Sequence, residues 1–208
     1  MASPSPLRIA AVALDLGNVL VKVDHFRFCR GLAGHAGANL TPEEVFAAVF
    51  DASLEPGYDT GRLSSEEFYR RIMSHFRLAL PYPIFCRLWT EIFEPMEGMA
   101  EVVAHLQSKY PLFLVSNTNS LHFDYIKERF PFLRYFLKFI LSFQVGSRKP
   151  EAEIYQALIR AVGHPPQQIL FLDDKLPFVE AARPHGLIAW PFTTPQDLQK
   201  TLRQHGLW

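Results

Sequence analysis

Ile9-Ala10-Ala11-Val12-Ala13-Leu14-Asp15-Leu16-Gly17-Asn18-Val19 decides the fold: an unbroken apolar run ends at a single carboxylate and a glycine turn. A run without polar alternation belongs in a strand buried on both faces of a parallel sheet. Asp15 then stands at the carboxyl end of that strand, where open α/β sheets place their ligands. Asx turns and helix caps also put an aspartate after a strand, so this stretch alone leaves the role of Asp15 open.

Three later segments narrow it. Leu112-Phe113-Leu114-Val115-Ser116-Asn117-Thr118-Asn119 is a second apolar strand, ending in four small polar residues before a helical pattern over residues 121–130. Hydroxyl and backbone N–H donors at a helix start suit an oxyanion. In Arg148-Lys149-Pro150, Pro150 is expected at the first position of a helix over 151–162 that Gly163 closes, so Lys149 stands just outside it. Ile169-Leu170-Phe171-Leu172-Asp173-Asp174 is a strand ending in paired carboxylates, which bury badly unless a metal or another cation neutralises them. Taken singly, Lys149 reads as a solvated surface charge and Asp173-Asp174 as a helix cap. Together, four strand ends offer an acid, hydroxyls, a lysine and an acid pair.

The order Asp15-Leu16-Gly17-Asn18-Val19, Ser116-Asn117-Thr118-Asn119, Arg148-Lys149-Pro150, Asp173-Asp174 resembles the four motifs of the haloacid dehalogenase (HAD) superfamily. Within it the chain is similar to the sugar-phosphate phosphatases of the α-D-glucose-1-phosphate phosphatase type. The resemblance implies that Asp15 is the nucleophile that takes the phosphoryl group, splitting one difficult displacement into two easier ones. It implies Mg²⁺ as cofactor, held by Asp15, the Gly17 backbone carbonyl and Asp174, with Asp173 a ligand or a support behind it. Ser116, Asn117 and Lys149 would hold the transferring phosphoryl group, Lys149 counting also as catalytic.

Two positions depart from that pattern. HAD phosphatases carry a second aspartate two residues after the nucleophile, to protonate the leaving alcohol and then activate water; here the position is Gly17. General acid–base catalysis is worth about 10² to 10⁴ in rate. The glucose-1-phosphate phosphatase branch also reads Asp-Leu-Gly-Asn, so Gly17 by itself does not make a dead enzyme. Phe178 stands where these relatives have Asn, which puts the orientation of the site near Asp174 in question. Asp24 is one candidate for the missing acid and His25 for lining the cleft, against a plain surface role for both.

The expected architecture is α/β: a doubly wound, Rossmann-like parallel sheet core with an inserted helical cap. Residues 1–21 and 97–208 form the core and 22–96 the cap. Within 22–96 no strong strand signal appears, and two capping boxes, Thr41-Pro42-Glu43-Glu44 and Ser64-Ser65-Glu66-Glu67, mark helix starts, the second opening a helix through Phe76. From about Gly98 helices and strands alternate: helix 99–108, the Ser116 strand, its helix, strand 139–142, a helix, the Asp173 strand, a helix, and strand 187–190. Glu55-Pro56-Gly57-Tyr58-Asp59-Thr60-Gly61-Arg62 reads as a loop rich in turn formers, either meeting a sugar or simply joining two helices. The aromatic run Phe130 to Ile140 reads as core where a helix gives way to a strand, with dimerisation as the alternative should it leave an exposed patch.

Composition fits one enzyme subunit. In 208 residues, Lys plus Arg and Asp plus Glu are both 21, so no basic surplus points to nucleic acid. Cys29 and Cys86 lack CxxC spacing and read as free thiols of a reducing cytoplasm. Met1 to Pro6 has no apolar signal core and is expected to be a disordered tail, and no run is long enough to cross a membrane. The expected partner is a small phosphorylated metabolite, with the chain a monomer or homodimer. Two functions compete: a Mg²⁺-dependent phosphatase, and a catalytically weak or inactive HAD-like protein that binds a phosphometabolite or a protein, which Gly17 and Phe178 support. Hydrolytic dehalogenation is disfavoured, because a metal-free site has no use for the added charge of Asp173-Asp174.

Overall fold

Alternate side chains of the first strand serve two different cores, and this organises the molecule. In β1 (Ala11–Leu14), Val12 and Leu14 join one apolar cluster while Ala11 and Ala13 join another, as the two-residue period of a strand requires. The computed structural model describes residues 8–36, 40–51 and 54–208. The tail expected at Met1 to Pro6 lies outside them.

Five parallel strands form the sheet in the order β5-β4-β1-β6-β7, with β4 (Leu112–Ser116), β5 (Phe136–Leu141), β6 (Ile169–Asp173) and β7 (Ile188–Pro191). The chain winds outward from β1 to β4 and β5 on one side, then returns to β6 and β7 on the other. This is the doubly wound arrangement, whose switch point lies at β1. Every residue of β1, β4 and β6 is buried, which accounts for their unbroken apolar character.

One face of the sheet is covered by α6 (Met99–Gln107), α7 (Ser120–Arg129) and α11 (Pro195–Gln204), through Val102, Val103, Ile126 and Leu202 among others. The other face is covered by α9 (Ala152–Val162) and α10 (Leu176–Ala182), through Ile154, Leu158 and Val179. A one-turn helix, α8 (Ser142–Val145), follows β5 directly. The strand expected over 139–142 therefore starts three residues earlier, and Ser142 belongs to the helix.

A third apolar cluster lies over the strand ends. It is built from α1 (His25–Ala36), α2 (Pro42–Phe46) running into a widened π turn over Ala47–Asp51, α3 (Leu54–Asp59), α4 (Ser65–Phe76) and α5 (Tyr82–Thr90). Trp89 is its centre, stacked parallel to Phe50 and Phe85 and met edge-on by Phe28 and Phe68. Both capping boxes are formed: Thr41 and Ser64 accept from the N–H groups of Glu44 and Glu67, and those glutamates accept in return from the capping residues' own N–H groups.

Three local readings are corrected. The stretch Glu55 to Arg62 is not a loop: Leu54 to Asp59 is helical. Pro56 is tolerated because its absent N–H falls within the first turn, where no intrahelical acceptor exists. The chain turns only at Gly61, with φ +69°, where a Cβ would sit 2.4 Å from the Phe143 carbonyl oxygen. Pro150 is not in the first turn of its helix, since Arg148 to Glu151 closes a turn (Glu151 N–H to Arg148 O, 2.7 Å) and the helix begins at Ala152 with Glu151 as its cap. Two short antiparallel strands, β2 (Val21–Val23) and β3 (Phe93–Pro95), stand where no strand was legible, because three residues are too few to show alternation. Of the aromatic run, Phe130, Leu133, Phe136 and Ile140 are buried as expected, while Leu137 on the edge strand is 65% exposed.

Candidate active site

Asp15, Ser116 and Asp173 end three adjacent strands, β1, β4 and β6, so their side chains converge by topology. All three are buried, with Asp173 wholly so. Two buried carboxylates this close repel unless a cation stands between them. Lys149 supplies it: its Nζ donates to Asp15 Oδ1 and Asp173 Oδ2, each at 2.6 Å, and to the Val115 carbonyl at 3.1 Å. The lysine itself is 1% exposed.

Two side chains aim this lysine and the loop beside it. Asn117 Oδ1 accepts from the Lys149 N–H at 2.8 Å while its Nδ2 donates to the Lys149 carbonyl at 2.9 Å. Asn117 lines the cleft, and its amide oxygen and one of its two Nδ2 N–H groups are spent on the Lys149 backbone, so it positions Lys149. Ser142 Oγ does the same for Thr118, accepting from its N–H at 2.9 Å and donating to its carbonyl at 3.0 Å. The Ser116 hydroxyl makes only a 3.4 Å contact to the Asn117 carbonyl and stays available to the cleft.

Burial pushes the Asp15 carboxyl up, and with Lys149 pulling it down and Asp173 raising it further, it comes to about 7. Burial pulls the Lys149 ammonium down, but its attraction to and hydrogen bonds with Asp15 and Asp173 outweigh this and leave it above its usual range. Asp173 accepts from Lys149 on one oxygen and from the Lys175 N–H, at 2.9 Å, on the other. Asp174 is half-buried, its carboxyl raised by burial and then by Asp173. Asp15, Asp173 and Asp174 can each present an oxygen within 4.8 Å of the others. Three carboxylates against one ammonium leave an excess of negative oxygen donors, the environment a hard divalent cation accepts.

Gly17 lines the cleft without a carboxyl. Its backbone needs no positive φ, and a Cβ there would meet only the Val23 methyl at 3.3 Å. Phe178 does not displace Asp174; its ring flanks the cations, 5.4 Å from both the Lys149 and the Lys175 Nζ. Asp24 is excluded as the replacement acid, because its side chain is 53% exposed and bonded to Arg30 at 2.7 Å, away from the cleft. His25 does line the cleft, but burial and then the Lys175 charge push it down to about 4, with Asp24 opposing, and its ring packs on Phe50.

The cleft over the strand ends has a cavity volume of about 110 Å³, and the helical cluster supplies its far wall. Glu55 and Asp59, one turn apart on α3, face into it; reading α3 as a loop hid that spacing. Arg148 and Lys175 line it too. Asp59 is held by Asn119, the buried residue that joins the helical cluster to the sheet. Asn119 Nδ2 donates to Asp59 Oδ1 at 3.0 Å and to His122 Nδ1 at 3.1 Å. Its Oδ1 caps α7 by accepting from the His122 N–H at 3.1 Å and also accepts from the Trp89 indole at 3.3 Å. His122 Nε2 donates to the Trp89 carbonyl at 2.9 Å, and burial pushes the imidazole down to about 3.

A family model described as haloacid dehalogenase-like hydrolase matches residues 9–186. A D-ribitol-5-phosphate phosphatase from Bacteroides thetaiotaomicron is 25% identical over 175 residues, spanning 80% of this chain and 83% of the relative. A HAD family enzyme of the same organism, solved in complex with magnesium and inorganic phosphate, superposes with a TM-score of 0.80 at 24% identity, over 89% of this chain and 95% of that one. A HAD-like family hydrolase from Porphyromonas gingivalis gives 0.79 at 24% identity, over 94% and 98%.

Proposed function

Since this chain belongs to the haloacid dehalogenase-like hydrolases, we propose that it is a Mg²⁺-dependent phosphatase acting on a small phosphorylated metabolite, a sugar or polyol phosphate, through an aspartyl phosphate on Asp15. One observation carries the reading: the Lys149 ammonium stands 2.6 Å from both the Asp15 and Asp173 carboxylates. It leaves one oxygen of Asp15 free for phosphorus and fixes a cation beside the phosphoryl group's charge.

In this reading Asp15 attacks phosphorus while Ser116 Oγ and the Lys149 ammonium hold the phosphoryl oxygens, a preorganised arrangement that needs little rearrangement as charge moves. Asn117 and Asp173 act through Lys149, by fixing its backbone and its ammonium. Asp15, Asp174 and the Gly17 carbonyl would hold Mg²⁺, with Asp173 behind them, since both of its oxygens already accept hydrogen bonds. Bound there, the ion would shield the negative charge of the phosphate from the carboxylates. The likeness to a D-ribitol-5-phosphate phosphatase supports a polyol or sugar phosphate monoester and does not favour glucose 1-phosphate among them.

Phosphate release from a panel of sugar and polyol phosphates, with Mg²⁺ and with chelator, tests the reading in the wild type and Asp15→Asn. Turnover by the wild type alone, lost on chelation, is expected. Gly17 supports the second reading, a protein that binds a phosphometabolite without turning it over. Silence across the panel, with Mg²⁺ and phosphate still binding, would establish that one instead.

A further inference from the structure

We infer that Glu55, reaching into the cleft from α3, is the general acid–base of this enzyme and stands in for the carboxyl absent at position 17. The assignment rests on the phosphatase reading and extends it. A phosphate ester of an ordinary alcohol needs a proton on its leaving oxygen, and the water that clears the phosphoenzyme must lose one. One group that returns to its starting state can do both.

The cleft offers few candidates. Asp15, Asp173 and Lys149 are bound to one another. His122 has both ring nitrogens engaged, and His25, neutral at neutral pH, keeps only a very weakly acidic N–H. Arg148 and Lys175 are basic side chains, suited to holding phosphate oxygens. Asp59 accepts the Asn119 amide. Glu55 remains: it faces the cleft and, among the described residues, makes no hydrogen bond or ion pair.

The surrounding charges agree with the role. Burial and then the Asp59 carboxylate raise the Glu55 carboxyl to about 8, opposed by Arg148 and Lys175 from the facing elements. Burial raises Asp59 less, to about 6, because Asn119, Arg148 and Lys175 favour its ionised form. At neutral pH two carboxyls this close titrate together and keep about one proton between them. The His25 imidazole on the same wall is neutral.

The chemistry balances in two steps. An Asp15 oxygen forms a bond to phosphorus, the ester P–O bond breaks, its electron pair stays on the leaving oxygen, and that oxygen takes the proton of Glu55. Water then gives a proton to the Glu55 carboxylate as its oxygen attacks phosphorus. The bond to Asp15 breaks, inorganic phosphate departs, and Glu55 is again protonated.

The probe is p-nitrophenyl phosphate, whose phenolate leaves without a proton, followed by rapid quench in the Mg²⁺-loaded full-length enzyme. Glu55→Gln should release about one p-nitrophenolate per active site in a fast burst. Its steady rate should then fall by about 10² to 10⁴, because only the second step still needs the group. Gly17→Asp, which asks only the Val23 methyl to give way, should restore turnover in the Glu55→Gln background, a rescue that a merely structural role of Glu55 does not predict. A Glu55→Gln enzyme that turns over within about twofold of wild type overturns the assignment, as does a loss without burst and without rescue. In both cases an active wild type and a silent Asp15→Asn leave the phosphatase reading standing. A silent wild type sinks both.

Discussion

Replacing Asn119 with alanine should loosen the joint between the helical cluster and the sheet at a cost that follows from its hydrogen bonds. Asn119 is wholly buried and all four of its amide hydrogen-bonding positions are used. Loss of the N-cap to α7 costs about 1 kcal/mol. The Asp59 carboxylate and the Trp89 N–H lose partners in places where each unsatisfied group costs about 1–3 kcal/mol. Water entering the vacated space recovers part of that, so the net loss is about 3–5 kcal/mol. In a chain of this size each kcal/mol moves the midpoint by about 2–4 °C, giving a fall on the order of 10 °C. Urea titration of Asn119→Ala, Asp59→Ala and the double variant measures both the loss and the coupling between the two residues. An Asn119→Ala loss under about 1 kcal/mol, or strictly additive variants, would refute the joint as described.

Lys149→Met, studied in chelator, leaves two buried carboxylates without their cation and should lose about 3–5 kcal/mol of stability, as broken buried ion pairs do; a melting curve matching wild type would contradict it. Gly61→Ala must hold φ near +69° and also place a Cβ 2.4 Å from the Phe143 carbonyl, whereas Gly163→Ala meets only the φ penalty, with nothing within 4 Å. Gly163→Ala should cost about 1 kcal/mol and Gly61→Ala about 2–4 kcal/mol, and equal losses would show that the close approach does not matter. His122 titrates near 3 when folded and at 6.5 as a free side chain, so between those values the unfolded chain binds a proton that the folded one refuses. Its contribution is complete above about pH 6.5 and is lost as pH falls, reaching about 3 kcal/mol by pH 4, while the raised carboxyls of Asp15, Glu55 and Asp59 pull the other way. Wild type should therefore lose that much more than His122→Gln between pH 7 and 4, and parallel curves would disprove it.

The parts of this fold legible in sequence are those that burial dictates. Strands buried on both faces cannot hide their apolar runs, and the carboxylates that end such runs mark Asp15 and Asp173 as candidates before any coordinates, whereas Lys149 by itself reads as a surface charge and is singled out only by its place among the four motifs. Side chains whose partner is backbone leave no such mark: Asn117 and Ser142 look like ordinary polar loop residues, and only their reciprocal bonds to Lys149 and Thr118 reveal their work. The wall bearing Glu55 and Asp59 was obscured because proline and glycine at 56 and 57 signal a turn, although a first helical turn accepts both. Asp24, adjacent in sequence to the first motif, turned out to face solvent. β1 sets the direction of the chain no further than Leu14, and the turn through Asn18 sends it elsewhere.

The narrow ribbon of β2 and β3 has a consequence for how such a chain could change over time. Val21, Lys22 and Val23 lie across from Pro95, Glu94 and Phe93, so the chain leaves for the helical cluster and comes back from it at nearly the same place. Neighbouring strands are roughly 5 Å apart. From the standpoint of the five-stranded sheet, residues 24–92 therefore occupy one hairpin's worth of doorway. Whatever is threaded through that doorway can be lengthened, shortened or exchanged while the strand ends keep their spacing, so selection can rework that wall without moving Asp15, Ser116 and Asp173. The contacts around Asn119 mark where a newly grafted wall would have to be fastened again.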